Sequence, residues 1–221
     1  MSTISKILQE LKIAKRSAFS TIEIAGLYQK NGKNGKNGKK KPNTGTGYIR
    51  LMLHRSYKKG EIKKVKNGWW ALADSMGEAV ACEVSKPAYI SFHSALYLHG
   101  LTTQIPRKIQ LATLRKPKKY TIDGTQVVEY KIKKENFNTF YLKDSILLAS
   151  KEKAFTDCLI LPRTCPEMVL IEVIGNLDLN ILKSVLNGPV GQAGRVTQAA
   201  KNRLKRLMRT VDKYAKTGRA Q

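Results

Sequence analysis

The first apolar stripe along the chain is Ile4, Ile7, Leu8 and Leu11. Steps of three and four place these side chains on one side of a 3.6-residue repeat, which predicts an amphipathic helix over roughly 3–15. A second helix opens at Ser20-Thr21-Ile22-Glu23, where a serine and a glutamate three apart can satisfy each other's backbone donors; it continues to about Tyr28. A third helix runs from near Thr46 to about Lys59 and is stopped by Gly60. Alternation then replaces helical spacing. Gly60–Leu72 reads as two short strands around Asn67-Gly68, a dipeptide suited to a tight hairpin turn. Helix, helix, helix, hairpin over about 70 residues is the order of a winged helix, a helix-turn-helix with a β-ribbon attached.

Ser75 to about Val84 reads as a further helix with its own Ser75/Glu78 box, connecting the head to a second domain. Beyond Pro87, strands are predicted at 88–90, 108–113, 119–123, 126–132, 139–142 and 146–149, with Asp123-Gly124 as a second hairpin turn. Helices are predicted at 92–99, 151–160, 167–175 and 179–186. Strands mostly in meander order imply a mixed α and β body on a largely antiparallel sheet. GPVGQAG at 188–194 reads as a glycine-rich joint, and 195–216 as one long basic helix, polar enough to be solvent-exposed or to lie on DNA. The expected fold class is α+β. A winged-helix domain spans 1–74, a connecting helix 75–87, an α+β body 88–188 and a basic helical tail 189–221.

Charge changes this picture from an architecture to a function. The 221 residues include 41 lysines and arginines against 16 acids, a net charge of +25. Such an excess repels itself in a compact fold, and its common use is to meet a polyanion. It is concentrated at the ends: 17 basic and 4 acidic residues in 1–75, 15 and 11 in 76–188, and 9 and 1 in 189–221. Nucleic acid is the favoured polyanion, because each neutralised phosphate releases counterions, and with a winged helix the expected partner is double-stranded DNA. A membrane surface would want a basic amphipathic helix with large apolar side chains opposite, and no clean example is present. No apolar run approaches the ~18 residues of a membrane span. The N-terminus lacks the apolar core of a signal peptide. Cys82, Cys158 and Cys165 have no CxxC spacing. They read as buried small hydrophobes in a reducing, cytoplasmic setting, with no disulfide framework or zinc site.

At 100° per residue, Ile49, Met52, Leu53 and Ser56 share the side of helix three that would pack on the first two helices. Gly47, Arg50, His54, Tyr57 and Lys58 share the other, and with Thr46 form the candidate DNA-reading face; an arginine can grip a guanine edge with two hydrogen bonds. On the hairpin, Lys63, Lys64 and Lys66 are candidate phosphate contacts that fix register without reading sequence. One of Trp69 and Trp70 should pack on the helices. Between helices two and three lies KNGKNGKNGKKKP, residues 30–42. Glycine and asparagine disfavour helix and strand, so this tract reads as a flexible basic loop. Its Lys33, Lys36, Lys39, Lys40 and Lys41 are candidate auxiliary phosphate contacts.

Catalytic patterns are thin. Asp123 with Glu129-Tyr130-Lys131 resembles the acid and acid-x-lysine pattern of a metal-dependent nuclease, but only five residues separate the two acids and no third acid is evident. His93 and His99 stand six apart on a helix, about 240° around, and form no metal pair. Ser94 lacks an acid partner and a nucleophile-elbow glycine pair. The glycine-rich stretches do not fit a phosphate-binding P-loop. The expectation is a non-enzyme without cofactor or metal. The alternatives are an RNA- or ribosome-associated basic protein, against which the lysine tract lacks interleaved aromatics, and the nuclease.

Two segments carry a family likeness. AYISFHSALYLHGLTTQIPRKIQLAT (88–113) contains Ser94-Ala95-Leu96, His99-Gly100-Leu101 and Gln104-Ile105-Pro106; SILLASKEKAFTDCLILP (145–162) contains Glu152-Lys153-Ala154-Phe155-Thr156-Asp157. With the N-terminal pattern, these resemble the AbiEi-type abortive-infection antitoxin family over about residues 3–162. The resemblance implies a transcriptional regulator that represses its own operon and counters a nucleotidyltransferase-like toxin encoded beside it. The KNG tract, the extreme basicity and the 189–221 tail depart from that family's pattern. Read as packing alone, Leu96 and Leu101 bury, Pro106 starts a strand, and Ser150 caps the helix that carries Glu152.

Overall fold

The computed structural model describes residues 3–33, 45–178, 180, 182 and 197–217. Those residues form an α+β protein with a three-stranded antiparallel sheet and a six-stranded mixed sheet. The chain divides into two compact units, Met1–Val84 with Tyr120–Gly124, and Ser85–Lys119 with Thr125–Gln221.

In the first unit, α1 (Thr3–Ile13), β1 (Ala18–Ser20), α2 (Thr21–Lys33), α3 (Thr46–Lys58), β2 (Ile62–Lys66) and β3 (Trp69–Leu72) succeed one another. The helical stripe read from the sequence is the core: Ile4, Ile7, Leu8 and Leu11 bury against Phe19, Ile24, Ile49, Leu53, Ile62 and Trp70. The Ser20/Glu23 box forms as the spacing predicts. Glu23 N–H donates to Ser20 Oγ at 3.1 Å, and Ser20 N–H to Glu23 Oε2 at 3.4 Å. Strand β1, three residues long, is not legible as a strand in the sequence. It lies antiparallel to β3, which pairs with β2 on its other side. Helix α2 runs past Tyr28 to Lys33, so the first KNG triplet is helical and not loop. The rest of that tract, with Lys36, Lys39, Lys40 and Lys41, lies outside the described residues.

The helix expected to connect two domains, α4 (Gly77–Val84), instead belongs to the first unit and packs beside β1. Glu83 holds it there. Its carboxylate is buried, pairs with Arg16, and accepts the backbone N–H groups of Ser17 at 2.7 Å and Ala18 at 2.8 Å. A charge can be buried at this point because every side of it meets a donor.

The second unit holds β4 (Ala88–Ile90), α5 (Phe92–Leu98), β5 (Lys108–Thr113), β7 (Thr125–Lys131), β8 (Phe140–Lys143), β9 (Ile146–Ala149), α6 (Lys151–Ile160), α7 (Glu167–Ile174) and α8 (Gln198–Thr217). With β6 (Lys119–Ile122), the sheet order is β6-β7-β5-β4-β9-β8. The expected, largely antiparallel sheet is corrected here. β5 runs parallel to β7 and β4 parallel to β9, while β4 is antiparallel to β5 and β8 to β9. Hairpins are encoded in adjacent residues, whereas parallel neighbours are joined by distant segments, so only the hairpin turns were readable. Asp123 and Gly124 do take the paired positive φ values, 48° and 81°, that a tight hairpin turn requires.

The basic tail helix is corrected as well. α8 is not solvated all round: Ala200, Leu204 and Leu207 are buried, and the helix packs on α6 and α7. Arg203 donates to the Leu159 carbonyl, and Arg206 pairs with Glu167 at 2.9 Å. Most of the predicted 179–186 helix and all of the 188–194 joint lie outside the described residues.

Candidate functional site

Helix α3 is sharply divided. Ile49 and Leu53 have no exposed surface and Ser56 little, while Thr46, Gly47, Arg50, His54, Tyr57 and Lys58 are all exposed. The split follows the 100° periodicity: anchoring at Ile49, Leu53 and Ser56, over about two turns of one side, obliges the rest to face outward. The exposed sector is wider than the predicted stripe. It also takes in Arg55 and, uncommonly for apolar side chains, Tyr48 at 41% and Leu51 at 48% exposure. Leu51 was detectable in the sequence, since it falls within 20° of Lys58 on the helical wheel.

The helix begins at Gly45, which makes no side-chain cap hydrogen bond. The Tyr48 N–H donates to the Gly45 carbonyl at 3.0 Å, and the amides of Thr46 and Gly47 lie at the positive end of the helix dipole, which favours an anion. At Gly47, a Cβ would meet nothing within 4 Å, so the surface there is open to close approach. Further along, the rings of His54 and Tyr57 lie 6.1 Å apart, and Tyr57 lies 6.2 Å from Trp70. Trp70 is the inward-facing member of the tryptophan pair, and its indole N–H donates to Thr21 Oγ1 at 3.0 Å. The recognition candidate is thus braced from beneath.

The three hairpin lysines differ. Lys64 is exposed. Lys63 is half-buried and pairs with Asp123 at 2.7 Å. Lys66 is half-buried, with its Nζ 4.4 Å from the centre of the Tyr120 ring and 5.9 Å from that of Trp69. The register shifts between Lys64 and Lys66, pairing resumes at Lys66 with Trp69, and Gly68 turns the hairpin at φ +74°. Of these lysines, Lys64 is the most available to a phosphate, while Lys63 already has a carboxylate. Of the tract lysines, Lys33 ends α2.

The nuclease pattern does not assemble. Glu129 is buried and accepts the Ser85 hydroxyl at 2.7 Å, and Asp123 is taken by Lys63. Among the described residues, no group of three His, Cys, Asp or Glu side chains is placed to hold a metal. His93 and His99 donate from Nε2 to the carbonyls of Gln104 and Ala149, at 2.9 and 2.8 Å. Burial lowers the pKa of both. The Ser94 hydroxyl donates to the Lys108 carbonyl. Cys82, Cys158 and Cys165 are free and buried, and burial pushes the Cys158 thiol up.

The two segments that carry the family likeness are bonded to each other. Lys153 and Asp157 of α6 form an ion pair with at most 2% of either side chain exposed. Asp157 Oδ2 accepts Tyr89 Oη–H at 3.1 Å and Ser91 Oγ–H at 2.7 Å. The buried carboxylate raises the Tyr89 phenol well above its ordinary range, behind desolvation as the larger cause. Ser150 caps α6 by accepting the Lys153 N–H at 3.2 Å. Tyr89, Ser91, Lys153 and Asp157 are buried together within the second unit.

The chain therefore belongs to the α+β class, with a helical unit carrying a small antiparallel sheet and a unit built on a mixed sheet. It is similar in fold to the crystal structure of the RV2827C protein from Mycobacterium tuberculosis, with a TM-score of 0.53 and 13% sequence identity over 94% of this chain and 75% of that one. No family model matches the chain. No curated protein matches it either. Among the described residues, no helix is long and apolar enough to cross a membrane.

Proposed function

We propose that the protein is a DNA-binding transcriptional regulator whose first unit acts as a winged helix, with α3 as the recognition helix and β2–β3 as the wing. The observation that carries this reading is the outward face of α3. Thr46, Gly47, Arg50, His54, Tyr57 and Lys58 are exposed together on a helix whose opposite face is locked into the core. The helix order, the pairing of β1 with β3, and the net charge of +25 support it. Arg50 and His54 are suited to base edges, and Lys64 with the Thr46 and Gly47 amides to phosphates. The likeness of 88–113 and 145–162 to AbiEi-type antitoxins supports a finer proposal. The operator lies in the protein's own promoter, and the protein counters a nucleotidyltransferase-like toxin encoded beside it.

The test is fluorescence anisotropy with a duplex spanning the upstream promoter and with a random duplex of equal length. Arg50→Ala and His54→Ala should each weaken promoter binding by about 1–3 kcal/mol more than random binding, the worth of a base-edge contact. Equal losses on both duplexes would remove α3 from the reading role. Replacing Lys33, Lys36, Lys39, Lys40 and Lys41 with glutamine should flatten the log affinity against log salt slope by up to ~0.9 per phosphate-contacting lysine, alike on both duplexes. An unchanged slope would make the tract a bystander.

A further inference from the structure

A cleft of about 660 Å³ opens on the second unit, between the start of β5 and the turn at Pro162–Pro166. Its volume is that of a small-molecule site. Three cations line it, Arg107, Lys108 and Arg163, and among the described residues no aspartate or glutamate does. Arg107 and Arg163 both line the cleft and are exposed, and neither makes an ion pair among the described residues. Lys108 is half-buried and donates to the Tyr130 hydroxyl at 2.8 Å. Glu172, whose charge acts on His93, lies outside the lining and is held by Thr102 Oγ1 at 2.8 Å and by the Thr103 N–H. Like charges gathered in a concavity repel one another and focus a positive potential there, which an anion relieves.

The floor is rigid. Gln110 is 1% exposed and its side chain is used at both ends: Nε2 donates to the Thr164 carbonyl at 2.7 Å, and Oε1 accepts the Ser94 N–H at 3.3 Å. Gln110 N–H in turn donates to Ser94 Oγ at 3.0 Å. The Gln104 carbonyl is tied to His93. This network joins the two walls, so the arginines stand on a fixed frame, as a preorganised site requires. The remaining lining is largely apolar and stiff, with Ile105 73% exposed beside Pro106 and Pro162.

We propose that this cleft binds a small phosphate-bearing organic ligand. The phosphate sits between Arg107 and Arg163, whose planar forks match its oxygens, and the organic part lies against Ile105 and the prolines. This proposal does not rest on the DNA reading, and its test contains no DNA in the first arm.

Isothermal titration of the full chain should show saturable 1:1 binding of adenosine 5′-monophosphate and of pyrophosphate, and none of adenosine. The Arg107→Ala/Arg163→Ala variant should lose at least tenfold in affinity for both phosphate compounds. Arg115→Ala/Lys116→Ala, which removes the same charge from exposed positions elsewhere on the second unit, should lose less than twofold. Far-ultraviolet circular dichroism establishes that both variants fold. Adenosine binding as tightly as its monophosphate, equal losses in the two variants, or no saturation with either phosphate compound would overturn the proposal. In a second arm, loss of random-duplex affinity in the cleft variant, with its phosphate-compound affinity intact, would assign the cleft to nucleic acid and overturn it as well.

Discussion

Removing the Asp157 carboxylate tests whether the second unit is organised around a buried charge pair. Lys153 and Asp157 are one helical turn apart and almost wholly inaccessible, at 2% and 1% exposure. Asp157→Ala would strand an ammonium in the core and take the acceptor from the Tyr89 and Ser91 hydroxyls. Breaking a buried pair from one side costs about 3–5 kcal/mol. Against a whole-domain stability of about 5–15 kcal/mol that is a large fraction. At about 2–4 °C per kcal/mol, the melting temperature should fall by ~10 °C. Both tryptophans, Trp69 and Trp70, lie in the first unit, so the loss should be tracked by circular dichroism or amide exchange and not by tryptophan fluorescence. The decisive comparison is Lys153→Met/Asp157→Leu. Removing both charges at similar volume should recover most of the loss, leaving about 1 kcal/mol for the Ser91 hydroxyl, since the Tyr89 hydroxyl keeps the Asn136 carbonyl at 3.4 Å. Asp157→Ala within ~1 kcal/mol of wild type, or a double variant as damaged as the single, would refute the reasoning. The site would then be held by packing, with the charges incidental.

Two further outcomes are expected from the same structure. Leu207→Ala should destabilise the second unit by about 2–5 kcal/mol, as for a fully buried leucine, while Lys205→Gln on the exposed side of α8 should change stability by less than about 0.5 kcal/mol; urea titration distinguishes them, and equal effects would return α8 to a solvated tail. Burial holds His93 and His99 below the ordinary histidine pKa. The unfolded chain therefore binds more protons as pH falls through about 6.5, so their contribution to stability is full above that pH and is lost below it. The fall in urea midpoint between pH 7 and 5.5 should shrink in His93→Gln/His99→Gln, and an unchanged slope would show that neither histidine is the titrating group.

Local features were legible because their causes are local. The buried and exposed faces of α3 follow from periodicity at Ile49, Leu53 and Ser56, the Ser20/Glu23 and Ser150 caps from spacing, and the Asn67-Gly68 and Asp123-Gly124 turns from backbone preference. The net charge of +25, and with it the expectation of a polyanion, required no fold at all. The tertiary structure decided everything that depends on residues far apart in the chain. β1 is three residues long and exists because β3 is there to pair with it. The parallel pairing of β5 with β7 and β4 with β9 is written in no turn. Glu83 reaching Ser17 and Ala18, Asp157 reaching Tyr89 and Ser91, and Gln110 reaching Thr164 each span 50 residues or more. The cleft that Arg107 and Arg163 line together has the same origin. A sequence shows which side chains can bear charge or donate a hydrogen bond, but the partner that makes burial possible is chosen only when distant segments close on one another.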